Sequence, residues 1–382
     1  MPSSSKNDSD LNRPKPQANA DWMRVLDSSA TQIAKPGGTK ATSAQAPLPD
    51  VAGYQVLEEW GWGDTGRMYK ARHLERDRLV ILALIPDSPP RFTHRLERFK
   101  SEYERLHHPN ILQLDEAVVL NGQLIVTFEH VEGRFLKQWL RRTPPSVNQA
   151  AAFLEGLARA VQHAHEQGIV HGHLAPGNIV LAIGASSDRP RSDAMPGSLP
   201  IGEPPSTADA LLTIPKIADF GLAILFAGPE DFAHGGAQDA ATRLEYQAPE
   251  QTHAMAAGAE PAADVYALGV ILYEMLTGRP PFTRATETEM RLLIQSQPPV
   301  PPRLFRPWLP SSLETICLTC LHKNPARRYR SAAALADELV RFLNGQSIKA
   351  WPPGWFGRTL RWTAVAALIV STAIFGIWAA CK

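Results

Sequence analysis

The chain has 382 residues, with 39 Lys and Arg against 38 Asp and Glu and a formal net charge of +1. Because such a balance creates no strong field of one sign, it gives no support to a polyanionic partner, and we expect no nucleic acid binding. The 3 cysteines are too few for a disulfide framework, which favours a reducing compartment for the folded part.

The first 50 residues are rich in Ser, Pro, Ala, Asn and Lys and show no apolar period. Such a segment cannot bury enough apolar surface to offset the entropy that a chain loses on folding. We therefore predict a disordered tail over residues 1–50. The start of the chain also lacks the apolar region of a cleaved signal peptide.

Short apolar runs bounded by Gly, Asp or Pro follow from Tyr54 onwards. The runs YQVLEEWGWGD, GRMYKARHL, RLVILALIP and QLIVTFEHV predict a small, mostly antiparallel sheet. Between them, HRLERFKSEYERLHH has apolar residues at spacings of three and four. This spacing predicts an amphipathic helix that lies on the sheet.

Helical patterns dominate the second half of the chain. NQAAAFLEGLARAVQHAHEQG has one apolar stripe, ADVYALGVILYEMLTG is apolar on nearly all sides, and SAAALADELVRFLNG ends at an Asn-Gly stop. Residues 184–210 interrupt this half with a Pro/Ser-rich stretch, which we interpret as a flexible insertion. A strand-rich half therefore precedes a helix-rich half.

An uncharged apolar run, WTAVAALIVSTAIFGIWAAC, occupies residues 362–381. At 1.5 Å per residue, about 20 helical residues span roughly 30 Å, the thickness of one hydrocarbon core. Trp362 and Trp378 lie near its ends, and Arg358 and Arg361 precede it. This pattern predicts a single-pass anchor in the cell membrane, with a juxtamembrane segment over 345–361 and the folded domain cytoplasmic. A buried helix at the end of a domain is the alternative.

Three glycines, Gly61, Gly63 and Gly66, have the G-x-G-x-x-G spacing. This spacing occurs in dinucleotide-binding folds and in kinases. A dinucleotide fingerprint opens a helix, whereas the residues after Gly66 continue as a strand, so the pattern favours a glycine-rich hairpin over phosphates. Taken by itself, the motif also fits an ordinary glycine turn.

With its further motifs, the chain resembles the eukaryotic-like Ser/Thr protein kinases of bacteria over roughly residues 54–344. The glycine loop, HHPNI, FEHVEG, IVHGHLAPGN, IADFG, QAPEQ, ADVYALG and NPARRY occur in the family's order. The resemblance implies an α+β, two-lobed fold with an N-lobe over 54–130, a C-lobe over 131–344 and a nucleotide between the lobes. It also implies a structural ion pair between Glu250 and Arg328.

Three charged residues of the family's catalytic set are replaced. The strand motif V-A-I-K reads VILA, which places Ala83 at the lysine that orients the α and β phosphates. The loop motif H-R-D-L-K-P-x-N reads HGHLAPGN, so His173 stands at the catalytic base and Ala175 at the second lysine. Loss of a general base alone costs about 10²- to 10⁴-fold in rate. We therefore predict a pseudokinase in which His173 is not a functional base.

Other parts of the nucleotide site are retained, and the resemblance implies weak binding of ATP with Mg²⁺. Asn178 and Asp219 match the two metal ligands, and Phe128 adds bulk before the hinge. Glu102 is the candidate for the helix glutamate, although the run from it to HHPNI is about one turn short. The implied nucleotide contacts come from the glycine loop, the following strand and the hinge: Gly61, Gly63, Gly66, Met68, Glu129 and Val131.

Two functions from different classes are consistent with these motifs. The first is a membrane-anchored pseudokinase that serves as a signalling or scaffolding module for an unidentified protein partner. The second is an active Ser/Thr kinase that transfers the γ-phosphoryl group of ATP with non-standard residues. In that case Lys70, two residues beyond Met68 on the same strand face, would replace the strand lysine; otherwise Lys70 is a solvated charge.

Overall fold

The computed structural model describes residues 47–63, 66–85, 91–120, 122–141, 145–183, 213–220, 244–252, 260–283 and 286–350. The predicted insertion at 184–210, the predicted anchor at 362–381 and the predicted tail up to residue 46 lie outside these ranges. No helix within the described ranges combines the length and the apolar character needed to cross a membrane.

An antiparallel sheet of five strands forms the first lobe, in the order β1-β2-β3-β5-β4. Its strands are β1 (Tyr54–Gly63), β2 (Gly66–His73), β3 (Arg78–Ile85), β4 (Leu114–Leu120) and β5 (Gln123–Glu129). Helix α1 (Arg91–Tyr103) buries Leu96, Phe99 and Tyr103 in the main core, which the spacing of three and four predicted. Apolar residues on both faces of β3 explain why its centre, Val80–Ala83, is buried.

The second lobe is mostly helical and carries a small sheet with the order β6-β7-β8. Its strands are β6 (Gly133–Phe135), β7 (Ile179–Ile183) and β8 (Thr213–Ile217). Its helices are α2 (Leu136–Leu140), α3 (Val147–Glu166), α4 (Pro261–Thr277), α5 (Glu287–Ser296), α6 (Ser311–Cys320) and α7 (Ala332–Leu343). The predicted two-lobed, α+β kinase-like fold is confirmed.

Helix α4 is the centre of this lobe, because it is buried on nearly every side. Gly269 allows α6 to approach closely, since a methyl group at this position would overlap the side chain of Cys320. Gly278 ends the helix in the left-handed conformation, with φ of 81°, which is the usual glycine stop. Helix α4 also holds the loop between α3 and β7, through hydrogen bonds from the backbone of His171 and Gly172 to Asp264.

A bidentate ion pair joins Glu250 to Arg328, as the resemblance implied. The Arg328 Nη1 and Nη2 atoms donate to the two Glu250 oxygens at 2.6 and 2.7 Å. The guanidinium also donates to the carbonyls of Ala262 and His322, both at 2.8 Å. Because Arg328 is buried, these contacts satisfy a charge that would otherwise be costly.

We predict that Glu250→Ala lowers the free energy of unfolding by about 3–5 kcal/mol, because it leaves the buried guanidinium without its carboxylate. Denaturant unfolding measures this loss. Glu287→Ala, which removes an exposed partner of Arg291 on α5, is the control and should cost about 1 kcal/mol or less. Equal losses in the two variants would contradict the prediction.

Candidate functional site

The loop between α3 and β7 is held by one carboxylate, Asp264 on α4. Its oxygens accept hydrogen bonds from the backbone nitrogens of His171 at 2.9 Å and Gly172 at 2.8 Å. His165 Nε2 lies 2.8 Å from Asp264 Oδ2. Burial alone would raise the pKa of Asp264, but the hydrogen bond from His165, the nearby His171 and the Gly172 amide together lower this pKa. Asp264 is therefore ionised at neutral pH.

His171 connects this loop to the segment before Asp219. Its Nε2 lies 3.1 Å from the Ala218 carbonyl oxygen and therefore donates to it, while its Nδ1 accepts from the His173 backbone nitrogen at 3.3 Å. The imidazole meets the Phe220 ring edge to face, with centroids 4.9 Å apart. The loop is thus ordered although its charged residues have been replaced.

His173, at the position of the catalytic base, is partly buried, and its carbonyl accepts a hydrogen bond from Asn178 Nδ2 at 2.9 Å. A neutral imidazole can accept a proton near pH 7. Ala175, at the position of the second lysine, is buried and offers no charge to a phosphoryl group. The loop therefore retains its shape but not its charge distribution.

Asn178 and Asp219, the two predicted metal ligands, are brought close together. The Ala218 backbone nitrogen donates to the Asn178 carbonyl at 2.8 Å, which places Asp219 next to the Asn178 turn. Asp219 is 4% exposed and has φ of 63°, a left-handed conformation that is uncommon outside glycine and recurs at functional sites. The Asn178 amide nitrogen is used in the bond to His173, so its amide oxygen is the atom that can bind a cation.

Carboxylate and amide oxygens suit Mg²⁺, which proteins commonly hold by one or two carboxylates together with substrate phosphates. Within the described residues, no group of three or more His, Cys, Asp and Glu side chains could hold a metal ion. The oxygens of Asn178 and Asp219 fit a Mg²⁺ ion that would arrive with a nucleotide.

Ala83 occupies the predicted position on β3 and is 3% exposed. It pairs with Met68 on β2 and with Val126 on β5, all within the main core. Lys70, the proposed substitute for the strand lysine, lies opposite Ile81, and its Nζ is 3.5 Å from Glu58 Oε1. The Lys70 ammonium therefore lies beside a carboxylate of β1.

Glu102 pairs along helix α1 with Arg98, whose Nε donates to it at 2.8 Å. The fully buried residue one turn earlier is Phe99, and its ring contacts Tyr103, with centroids 5.5 Å apart. The Tyr103 ring in turn lies 6.0 Å from that of Phe128. A core position on α1 is therefore held by Phe99, whereas Glu102 pairs with Arg98.

Ala83 and Phe99 are buried in the same core, and we therefore assign Phe99 to the position opposite Ala83, where the resemblance implies the helix glutamate. We predict that Ala83→Lys alone destabilises the fold by several kcal/mol, because it buries an ammonium in a core without a carboxylate. Adding Phe99→Glu should recover part of this loss. Denaturant unfolding of the four proteins of a double-mutant cycle gives the coupling energy, which should exceed about 1 kcal/mol.

The control cycle combines Phe99→Glu with Ala164→Lys, another buried alanine, in helix α3 of the second lobe. We expect no favourable coupling there, because the two positions are in different lobes. Equal coupling in the two cycles would refute the assignment of Phe99 as the residue opposite Ala83.

The glycine strand lies directly on the second lobe. A methyl group on Gly61 would lie 2.8 Å from Phe135 Cδ2 and closer still to Cε2, so only glycine allows this approach. Gly63 and Gly66 pair at the end of the hairpin, whose tip lies outside the described residues. The predicted nucleotide contact Gly61 thus packs against an aromatic ring in this structure.

The remaining predicted nucleotide contacts line the inner face of the sheet and the hinge. Met68 is fully buried, and Val131 is partly buried against the main core. Phe128, which was predicted only to add bulk before the hinge, is also fully buried. Glu129 Oε1 lies 2.9 Å from Lys216 Nζ and accepts from the Gln113 backbone nitrogen at 3.2 Å. The sequence pattern did not reveal Phe135 or Phe99, because neither belongs to a motif.

This two-lobed fold, with its ordered loop and its Asp219 turn, is that of a protein kinase domain. A profile of that domain matches residues 54–340, so the chain belongs to the protein kinase domain family. Its relatives include the serine/threonine-protein kinases Pkn1 of Myxococcus xanthus, PknB of Mycobacterium tuberculosis and PrkC of Bacillus subtilis. These relatives support a bacterial eukaryotic-like Ser/Thr kinase.

The identity to these relatives is moderate. It is 29% over 311 residues for Pkn1, covering 80% of this chain and 41% of the relative. It is 28% over 307 residues for PknB, covering 78% and 44%, and 28% over 291 residues for PrkC, covering 75% and 40%. This chain therefore spans less than half the length of each of these three relatives.

Proposed function

We propose that this chain is a membrane-anchored pseudokinase, a kinase-like module that signals or scaffolds through a protein partner and does not transfer phosphate. The observation that carries the proposal is the burial of apolar residues at the two positions that we assign to the phosphate-orienting pair. Ala83 and Phe99 are both buried in the same core, where active kinases need a charged lysine and glutamate.

The electrostatic consequence is large. Each lost stabiliser of developing charge costs about 10²- to 10³-fold in rate, and a lost general base costs about 10²- to 10⁴-fold. These losses are not additive within one catalytic unit. Even so, the replacement of two lysines and the aspartate leaves only the positioning of the reactants to lower the barrier to phosphoryl transfer.

Weak, Mg²⁺-dependent ATP binding is part of the proposal. Asn178 and Asp219 would hold the cation, and the nucleotide would supply the phosphate oxygens that complete its coordination. Without a lysine at Ala83 the site lacks one charge-assisted hydrogen bond, worth about 1.5–3 kcal/mol, or roughly ten- to a hundredfold in affinity. We expect Phe128 to add bulk before the hinge and to weaken binding further.

We predict that the purified protein transfers no more γ-phosphoryl from radiolabelled ATP to itself or to generic protein substrates than His173→Ala does. The reason is that His173 would have to act without either lysine. Transfer that disappears in His173→Ala and in Asp219→Asn would instead establish the alternative, an active Ser/Thr kinase with an unusual base.

We predict a small rise in melting temperature with millimolar MgATP and none with ATP plus a chelator. Asp219→Ala should remove the Mg²⁺ dependence, because it removes the only carboxylate of the predicted metal site. Thermal denaturation with and without MgATP measures both effects. A melting temperature that MgATP does not change would contradict nucleotide binding, and micromolar affinity would contradict its weakness.

The anchor at 362–381 and the cytoplasmic position of the domain remain part of this proposal, supported by the apolar run and the preceding arginines. Deleting residues 362–381 should move the protein from the membrane to the soluble fraction, whereas deleting residues 1–46 should not. Membrane retention of the first truncation would refute the anchor. Cleavage of the domain by protease added outside intact cells would refute its cytoplasmic position.

A further inference from the structure

An aromatic contact joins β1 of the first lobe to β6 of the second lobe. Phe135 on β6 is 2% exposed, and its ring meets that of Trp60 on β1 edge to face, with centroids 4.9 Å apart. The same phenylalanine ring packs on the backbone of Gly61, where a methyl group would clash with it. We call the contact of Trp60, Gly61 and Phe135 the aromatic latch.

The strand that carries Trp60 and Gly61 lies beside the turn that contains a predicted metal ligand, Asn178. Cα atoms of β1 and of the turn Pro176–Asn178, which ends at a predicted metal ligand, lie within 8 Å of each other. The glycine strand therefore rests on the second lobe at the place where a kinase would hold the nucleotide between them. We expect a ligand that enters there to separate Gly61 from Phe135.

We propose that the aromatic latch holds the lobes closed in place of a nucleotide, and that Phe135 is the residue that limits access of ATP to the cleft. This inference rests on the proposed function, in which ATP binds weakly. A buried aromatic ring with an edge-to-face partner is a favourable contact that needs no ligand. The closed form is therefore the resting form of the protein.

The latch lowers the apparent affinity for ATP by a defined route. When only a fraction of the molecules is open, the apparent dissociation constant rises by the inverse of that fraction. Opening the latch by mutation should therefore tighten ATP binding without any new contact to the nucleotide. A partner that recognises the closed lobes would bind independently of ATP.

The test compares MgATP binding by the full chain and by Phe135→Ala, using calorimetry or a fluorescent ATP analogue. We expect at least about tenfold tighter binding for Phe135→Ala and faster hydrogen exchange over residues 54–63. The matched control is Phe153→Ala, since Phe153 is also a buried ring that meets a tryptophan, Trp139, with centroids 5.7 Å apart. It should lower stability and leave the affinity unchanged.

A second measurement keeps the proposal testable if Phe135→Ala does not fold. Gly61→Ala should lower the melting temperature in the wild-type background and much less beside Phe135→Leu, whose smaller side chain leaves room for the methyl group. Unchanged affinity in Phe135→Ala, or an equal loss from Gly61→Ala in both backgrounds, would overturn the latch. Phosphoryl transfer by the wild-type protein would refute the proposed function. It would not change the affinity ratio between Phe135→Ala and the wild type, nor the difference between the two Gly61→Ala losses, so the two failures can be told apart.

Discussion

The described part of the cleft depends on the buried carboxylate of Asp264. It binds the backbone of His171 and Gly172 and the ring of His165, and His171 in turn binds the carbonyl before Asp219. None of these bonds uses a residue of the predicted nucleotide or metal site. The loop can therefore lose its base and its lysine and still keep its path, because the groups that shape it differ from those that would react.

The same separation explains which parts of the site could be predicted from the sequence. Four of the predicted positions lie in motifs and therefore follow from local patterns: Ala83, His173, Asn178 and Asp219. In the structure, Ala83 of the VILA strand pairs with Met68 on β2. The fold class also follows from local patterns, because strand alternation and helix spacing are set by neighbours a few residues apart.

Phe99 and Phe135 could not be identified in this way. Whether Phe99 or Glu102 faces the core depends on where α1 begins and how it rotates, and a shift of one turn keeps a similar apolar spacing. Phe135 belongs to a three-residue strand, and the role inferred for it depends on its contact with Gly61, which is distant in the sequence. Such contacts between lobes leave no periodic signal. The shortened run before HHPNI was the one local sign of a change.

Replacing a charge pair by an apolar cluster changes more than the rate of a reaction. In active kinases the lysine–glutamate pair must be in place, and control of the helix position makes or breaks it. In this chain α1 is fixed through Phe99, Tyr103 and Phe128, and separating these rings would expose apolar surface to water. The position of α1 is therefore tied to the core and not to a nucleotide.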